Sequence, residues 1–155
     1  MIFFRFFLNN PKVECPRCLG KGHVDWNDIR RLKRELIWIP GKCAYCNGKG
    51  KVSAKTVAEL NPDTAYLTLD TSKEERKRLI NKDKGALHRA EFLDSFLEDF
   101  IKQVEYLHSV GNLDAKQIHN FFLIAKDEAN SDEEEKREML KYIEKIIRKK
   151  NGEEI

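Results

Sequence analysis

Two octapeptides decide how the front of this chain folds: Cys15-Pro-Arg-Cys18-Leu-Gly-Lys-Gly22 and Cys43-Ala-Tyr-Cys46-Asn-Gly-Lys-Gly50. Both read Cys-x-x-Cys-x-Gly-Lys-Gly, and together they hold all four cysteines of the 155 residues. Zinc takes four thiolates at tetrahedral corners about 2.3 Å away, and two residues between cysteines let one turn supply two adjacent corners. Gly20 and Gly48 follow the second cysteine of each pair, where positive φ turns backbone amides toward the sulfurs. Gly22 and Gly50 then let the chain turn back without a side-chain clash. Two such knuckles close one site made of four cysteines.

The alternatives for paired cysteines are redox activity and disulfides. A redox pair usually stands once, on the first turn of a helix in a thioredoxin-like setting. Four cysteines are too few for a disulfide scaffold in a chain of this length. The expectation is therefore one structural Zn2+ held by Cys15, Cys18, Cys43 and Cys46, in a reducing compartment, the cytoplasm. Four cysteines saturate the metal and leave no open position for catalysis. Its role would be to fold a segment too small to hold a core alone.

Working outward, Trp26–Ile39 has a helical pattern: Ile29, Leu32, Leu36 and Ile39 recur at threes and fours,. Asp25 or Asn27 suits its N-cap, and Pro40-Gly41 stops it. Ser53 caps a short helix ended by Asn61-Pro62. Ala65–Asp70 alternates like a short strand. From Thr71 onward the chain reads as helical, with capping-box patterns at Thr71/Glu74, Ser72/Glu75, Asp114/Gln117 and Ser131/Glu134. Between Leu87 and Ser109 an apolar stripe runs through Phe92, Leu93, Phe96, Leu97, Phe100, Ile101, Val104 and Leu107, most simply a bundle core. The run Ile2–Leu8, Ile-Phe-Phe-Arg-Phe-Phe-Leu, reads as a core strand or a docking peptide. No stretch approaches the roughly 20 apolar residues a membrane span needs. The fold class expected is mainly α: a helical bundle over residues 56–155 behind a small β-hairpin and zinc-knuckle module over residues 1–55.

Charge divides the same way. The net charge is +3, yet Lys12–Lys55 carries eleven Lys/Arg against four Asp/Glu, a local +7, and residues 56–155 carry −5. A basic front and an acidic rear suggest different partners, or halves that attract each other.

The repeat Cys-x-x-Cys-x-Gly-x-Gly resembles that of the cysteine-rich zinc-binding domain of DnaJ co-chaperones. The resemblance covers Cys15–Gly22 and Cys43–Gly50. The family pattern has four repeats and two zinc sites, whereas this chain has two repeats, enough for one site. The His-Pro-Asp signature of the J-domain is absent, since His23, His88, His108 and His119 are followed by Val, Arg, Ser and Asn. The resemblance implies zinc ligands at Cys15, Cys18, Cys43 and Cys46.

Arg30, Arg31, Lys33 and Arg34, with Trp38 and Lys42, form the candidate partner surface. Cations beside Trp26, Trp38 and Tyr45 have the composition of a nucleic-acid surface, or of a solvated helix face with its tryptophans packed on the knuckles. Glu105-Tyr-Leu-His108 has half of a di-iron motif, without the second Glu-x-x-His such sites require. No nucleophile triad, phosphate loop or dinucleotide fingerprint is present. The function expected is a zinc-stabilised, non-enzymatic adaptor or chaperone-like protein-binding module. The alternative is an accessory nucleic-acid-binding protein using Arg30–Arg34. A protein partner or client is expected, with no membrane span and no small-molecule substrate.

Overall fold

A computed structural model describes residues 10–125 and 132–155. The Ile2–Leu8 run and the Ser131 cap lie outside the described residues. The chain divides into two compact units, one ending at Glu91 and one beginning at Phe92.

In the first unit, β1 (Lys12–Glu14) pairs antiparallel with β4 (Lys51–Ser53), placing Val13 opposite Val52. A second ribbon pairs β2 (His23–Val24) with β3 (Gly41–Lys42). The first octapeptide thus joins β1 to β2 and the second joins β3 to β4, so both run between the same two ribbons.

Helix α1 (Trp26–Arg31) is capped by Asp25, whose carboxylate accepts from the Asp28 amide while Asp28 accepts from the Asp25 amide. The periodicity predicts a helix to Ile39, but α1 stops eight residues short. Lys33 takes φ +56°, and the amides of Lys33 and Arg34 bond back to the carbonyls of Arg30 and Ile29. That is a Schellman turn without its usual glycine. Beyond it one further turn closes, the Ile37 and Trp38 amides donating to the Arg34 carbonyl. The side chains of Arg34 and Trp38 fasten it by donating to the Asp63 carbonyl at 2.7 Å and the Ala65 carbonyl at 3.1 Å.

Ser53 caps α2 (Ala54–Glu59) as its sequence predicts, accepting from the Thr56 amide. Ala65–Asp70 forms turns, not the expected strand. The carbonyls of Pro62, Thr64 and Leu67 accept from one guanidinium, that of Arg17, instead of from a neighbouring strand. Helix α3 (Lys73–Ile80) is capped by Ser72, and Leu79 packs with Ala86 and Ala90 of α4 (Lys84–Ser109).

The second unit holds the later part of α4 with α5 (Ala115–Ala125) and α6 (Glu133–Lys150). The reciprocal Asp114/Gln117 box caps α5. Asp132 caps α6, whose glutamates at the start and Arg148, Lys149 and Lys150 at the end both complement the helix dipole,. Val104, Ile118, Phe122, Ile143 and Ile146 are buried, and Phe100 contacts the rings of Phe122 and Tyr142 at 4.9 and 6.1 Å.

The expected core stripe is only partly buried, for Phe92, Leu93 and Phe96 are exposed. Burial along the stripe is confined to its later part, where Phe100 meets Phe122 and Val104 is fully buried. Among the described residues no helix is long and apolar enough to cross a membrane.

Candidate metal centre

Each knuckle is shaped by its glycines. Leu19 and Asn47 take φ of 50° and 52°, and Gly20, Gly22, Gly48 and Gly50 all have positive φ. This tight winding brings the Gly22 amide 3.3 Å from the Cys18 sulfur and the Gly50 amide 3.2 Å from the Cys46 sulfur. The knuckles also clasp each other: the Cys15 amide donates to the Gly50 carbonyl and the Cys43 amide to the Gly22 carbonyl. The arrangement is close to two-fold symmetric, as the doubled sequence requires.

All four sulfurs are buried and converge. Cys15 and Cys43 Sγ are 3.9 Å apart, Cys18 and Cys46 Sγ 3.8 Å, and all four atoms lie within 4.8 Å of one another. A tetrahedron with metal–sulfur bonds of about 2.3 Å has edges of about 3.8 Å. The four cysteines are thus positioned to coordinate a single metal ion, as one structural Zn2+ requires. Without metal, the Cys43 thiol bonded to the Cys15 sulfur draws Cys15 down to about 5, and the same bond together with burial pushes Cys43 up. Burial raises Cys18 to about 11.

The repeat's lysines and variable positions serve the surroundings. Lys21 binds the carboxylates of Asp25 and Asp28, both at 2.6 Å, tying the first knuckle to the cap of α1. Its hydrogen bond holds Asp25 down at about 2. Tyr45 donates to the Leu60 carbonyl at 2.6 Å, fastening the second knuckle to the end of α2.

Arg17 is the residue the sequence reading missed. It is 2% exposed, stacks 4.1 Å over Trp38 and 5.4 Å from the centre of Tyr45, and donates to three carbonyls. Burial lowers its pKa to about 10, and the neighbouring Cys43 and Cys15 sulfurs oppose that fall. A guanidinium beside four thiolates offsets the negative charge such a centre concentrates. Nothing in a Cys-x-Arg-Cys spacing announces this, because the three acceptors lie 45 to 50 residues away.

The candidate partner surface is not one patch of exposed cations. Arg31 donates to the Arg17 carbonyl at 2.7 Å, Arg34 holds the Asp63 carbonyl, and Trp38 is buried. Arg30, Arg31, Lys33 and Lys42 are exposed, Arg31 while making its bond to the Arg17 carbonyl. In the second unit, Glu105 pairs with Lys150 and His108 bonds to the Leu113 carbonyl. Among the described residues the only group able to hold a metal is the four cysteines. Comparison of the chain with protein-family models, curated proteins and solved structures finds no match.

Proposed function

We propose that the protein is a zinc-stabilised, non-enzymatic binding module that contacts another protein, as an adaptor or in a chaperone-like way. In this reading its front is a one-site variant of the DnaJ-type cysteine-rich domain, carried ahead of a helical bundle and working in the cytoplasm. The observation that carries the reading is closure. Four buried sulfurs at tetrahedral spacing fill a zinc ion's coordination sphere and leave no position for a substrate or an activated water,. The metal then serves to hold the Trp26–Lys42 insert against the knuckles.

Binding of nucleic acid remains the second reading, favoured by the exposure of Arg30, Arg31, Lys33 and Lys42. The involvement of Arg31, Arg34 and Trp38 in internal contacts speaks for the protein-binding one. One pair of measurements decides between them. A protein-binding module, zinc-loaded, suppresses aggregation of a chemically denatured client without nucleotide. A nucleic-acid binder instead retains a single-stranded oligonucleotide with an affinity that falls steeply as salt rises and is lost on replacing Arg30 and Lys33 with Ala. Oligonucleotide binding of that kind, with no protection of the client, defeats the proposal.

A further inference from the structure

The first unit carries an open groove, formed between the end of the insert and the turns after α2. Ile37, Trp38 and Ile39 line it with Leu67 and Leu69, and Lys42 stands in its lining. Its space is about 550 Å³, counting the part open to solvent.

The groove combines a fixed base with exposed apolar walls. Leu67 is fully buried and Trp38 nearly so, and Arg17 locks both by stacking on the indole and holding the Leu67 carbonyl. Ile39, by contrast, is 75% exposed and Leu69 43%. A preorganised base of this kind favours binding, because its side chains lose little freedom when a partner arrives.

The available polar groups indicate what would bind. Arg17 lines the groove, but its guanidinium already serves three carbonyls, so it offers little to orient a small polar ligand. Lys42 forms no salt bridge among the described residues, and its stem runs across Gly48 of the second knuckle. Asp70 also lines the groove and balances Lys42 locally. The wider field is therefore set by the +7 of Lys12–Lys55,.

We infer that this groove docks a short apolar peptide segment of another protein, with carboxylates flanking its apolar residues. The inference rests on the protein-binding reading and names the partner's chemistry. Its apolar side chains cover Ile39 and Leu69, and its carboxylates meet the basic field around Lys42. Zinc supports the groove indirectly, since the first knuckle carries Arg17.

The test uses the full zinc-loaded chain and two fluorescein-labelled peptides, each with a Leu/Phe core flanked on both sides by glutamates or by lysines. Anisotropy should show saturable binding of the glutamate-flanked peptide and at least tenfold weaker binding of the other. Ile39→Asp and Leu69→Asp should each weaken the first peptide at least tenfold, and Lys42→Glu should narrow the gap between the two. All three side chains are exposed, so zinc content and circular dichroism should stay at the parent's values. Equal binding of both peptides, unchanged binding by Ile39→Asp, or no binding by the parent overturns the inference. So does a dimer in sedimentation that Ile39→Asp dissolves, because the groove would then belong to a second copy. The client-aggregation assay reads the broader proposal separately: a parent that protects the client yet binds neither peptide loses the groove and keeps the protein-binding function.

Discussion

The guanidinium of Arg17 lies 4.1 Å over the Trp38 ring, so a residue between two metal ligands is stacked on the end of the insert that separates the knuckles. The same group holds the carbonyls of Pro62, Thr64 and Leu67. Removing it leaves three acceptors without their donor and opens space beside the indole. Arg17→Met should destabilise the first unit by about 3–5 kcal/mol. Arg17→Lys should recover only part, because an ammonium lacks the planar fork that reaches three carbonyls and stacks. Denaturant unfolding followed by tryptophan fluorescence measures both. A loss below about 1 kcal/mol for the methionine variant, within the range of ordinary surface changes and single contacts, would show that the clasp is dispensable.

The parts of the molecule legible in sequence are those governed by local chemistry. The doubled Cys-x-x-Cys-x-Gly-Lys-Gly specifies its own turn, so the four ligands and their glycines follow from sixteen residues. The caps at Asp25, Ser53, Ser72 and Asp114 are local as well, each bonding an amide three residues on. What escaped depends on distant residues. The insert keeps helical periodicity to Ile39, yet the helix breaks at Lys33, and the side chains of Arg34 and Trp38 bond to Asp63 and Ala65, about thirty residues away. Ala65–Asp70 alternates like a strand while its neighbourhood is pinned by Arg17. In α4, periodicity marks one face but gives no sign of how much of it is buried: Val104 is, while Phe92, Leu93 and Phe96 are not.

That last point yields a contrast within one helix. Val104 is fully buried, whereas Phe92, on the same α4, is 66% exposed. Val104→Ala should cost about 1–3 kcal/mol through lost burial and cavity formation. Phe92→Ser should stay within about 0.5 kcal/mol despite removing the larger side chain. Thermal unfolding of the two variants gives the comparison, and a phenylalanine variant at least as damaging as the valine one contradicts the burial of these two side chains.

The glycines make a sharper case, because backbone faces backbone. A Cβ on Gly22 would sit 2.5 Å from the Gly48 carbonyl oxygen, and one on Gly50 would strike the Gly20 carbonyl. Both residues also have φ above +70°, where an added side chain is strained,. Neither neighbour can move without opening the sulfur cluster. Gly22→Ala and Gly50→Ala should each cost about 2–4 kcal/mol and lower zinc occupancy. Gly41→Ala is the control, since a Cβ there meets nothing within 4 Å. Zinc content after dialysis should separate the first two variants from the third.

Zinc affinity should depend on pH with a definite sign. In the metal-free cluster burial holds Cys18 up at about 11, and the bond to Cys15 together with burial pushes Cys43 upward, so both hold their protons at neutral pH. Zinc binds thiolates, so loading at pH 7 expels protons from at least Cys18 and Cys43. Protons released on binding make affinity rise with pH, and two protons give a slope of ~100-fold per pH unit. Chelator competition between pH 6 and 8 measures that slope. A flat profile would mean that these two thiols are already ionised before the metal arrives.

Losing one ligand should separate the two units. Cys46 is buried, accepts from the Gly50 amide and faces Cys18 across the centre, so Cys46→Ser removes a thiolate from the interior of the first unit. A structural zinc supplies on the order of 10–16 kcal/mol of folding free energy in isolated fingers, more than a small knuckle module can replace. The helical residues from Phe92 onward depend on another core, built on Val104, Ile118, Phe122, Ile143 and Ile146. They are about three-fifths of all helical residues in α1–α6. The variant should therefore lose zinc and the native emission of Trp38 while keeping about that fraction of the far-ultraviolet circular dichroism. Treating the parent protein with a strong chelator should give the same spectrum. Complete loss of helical signal in both would show that the second unit cannot fold without the first.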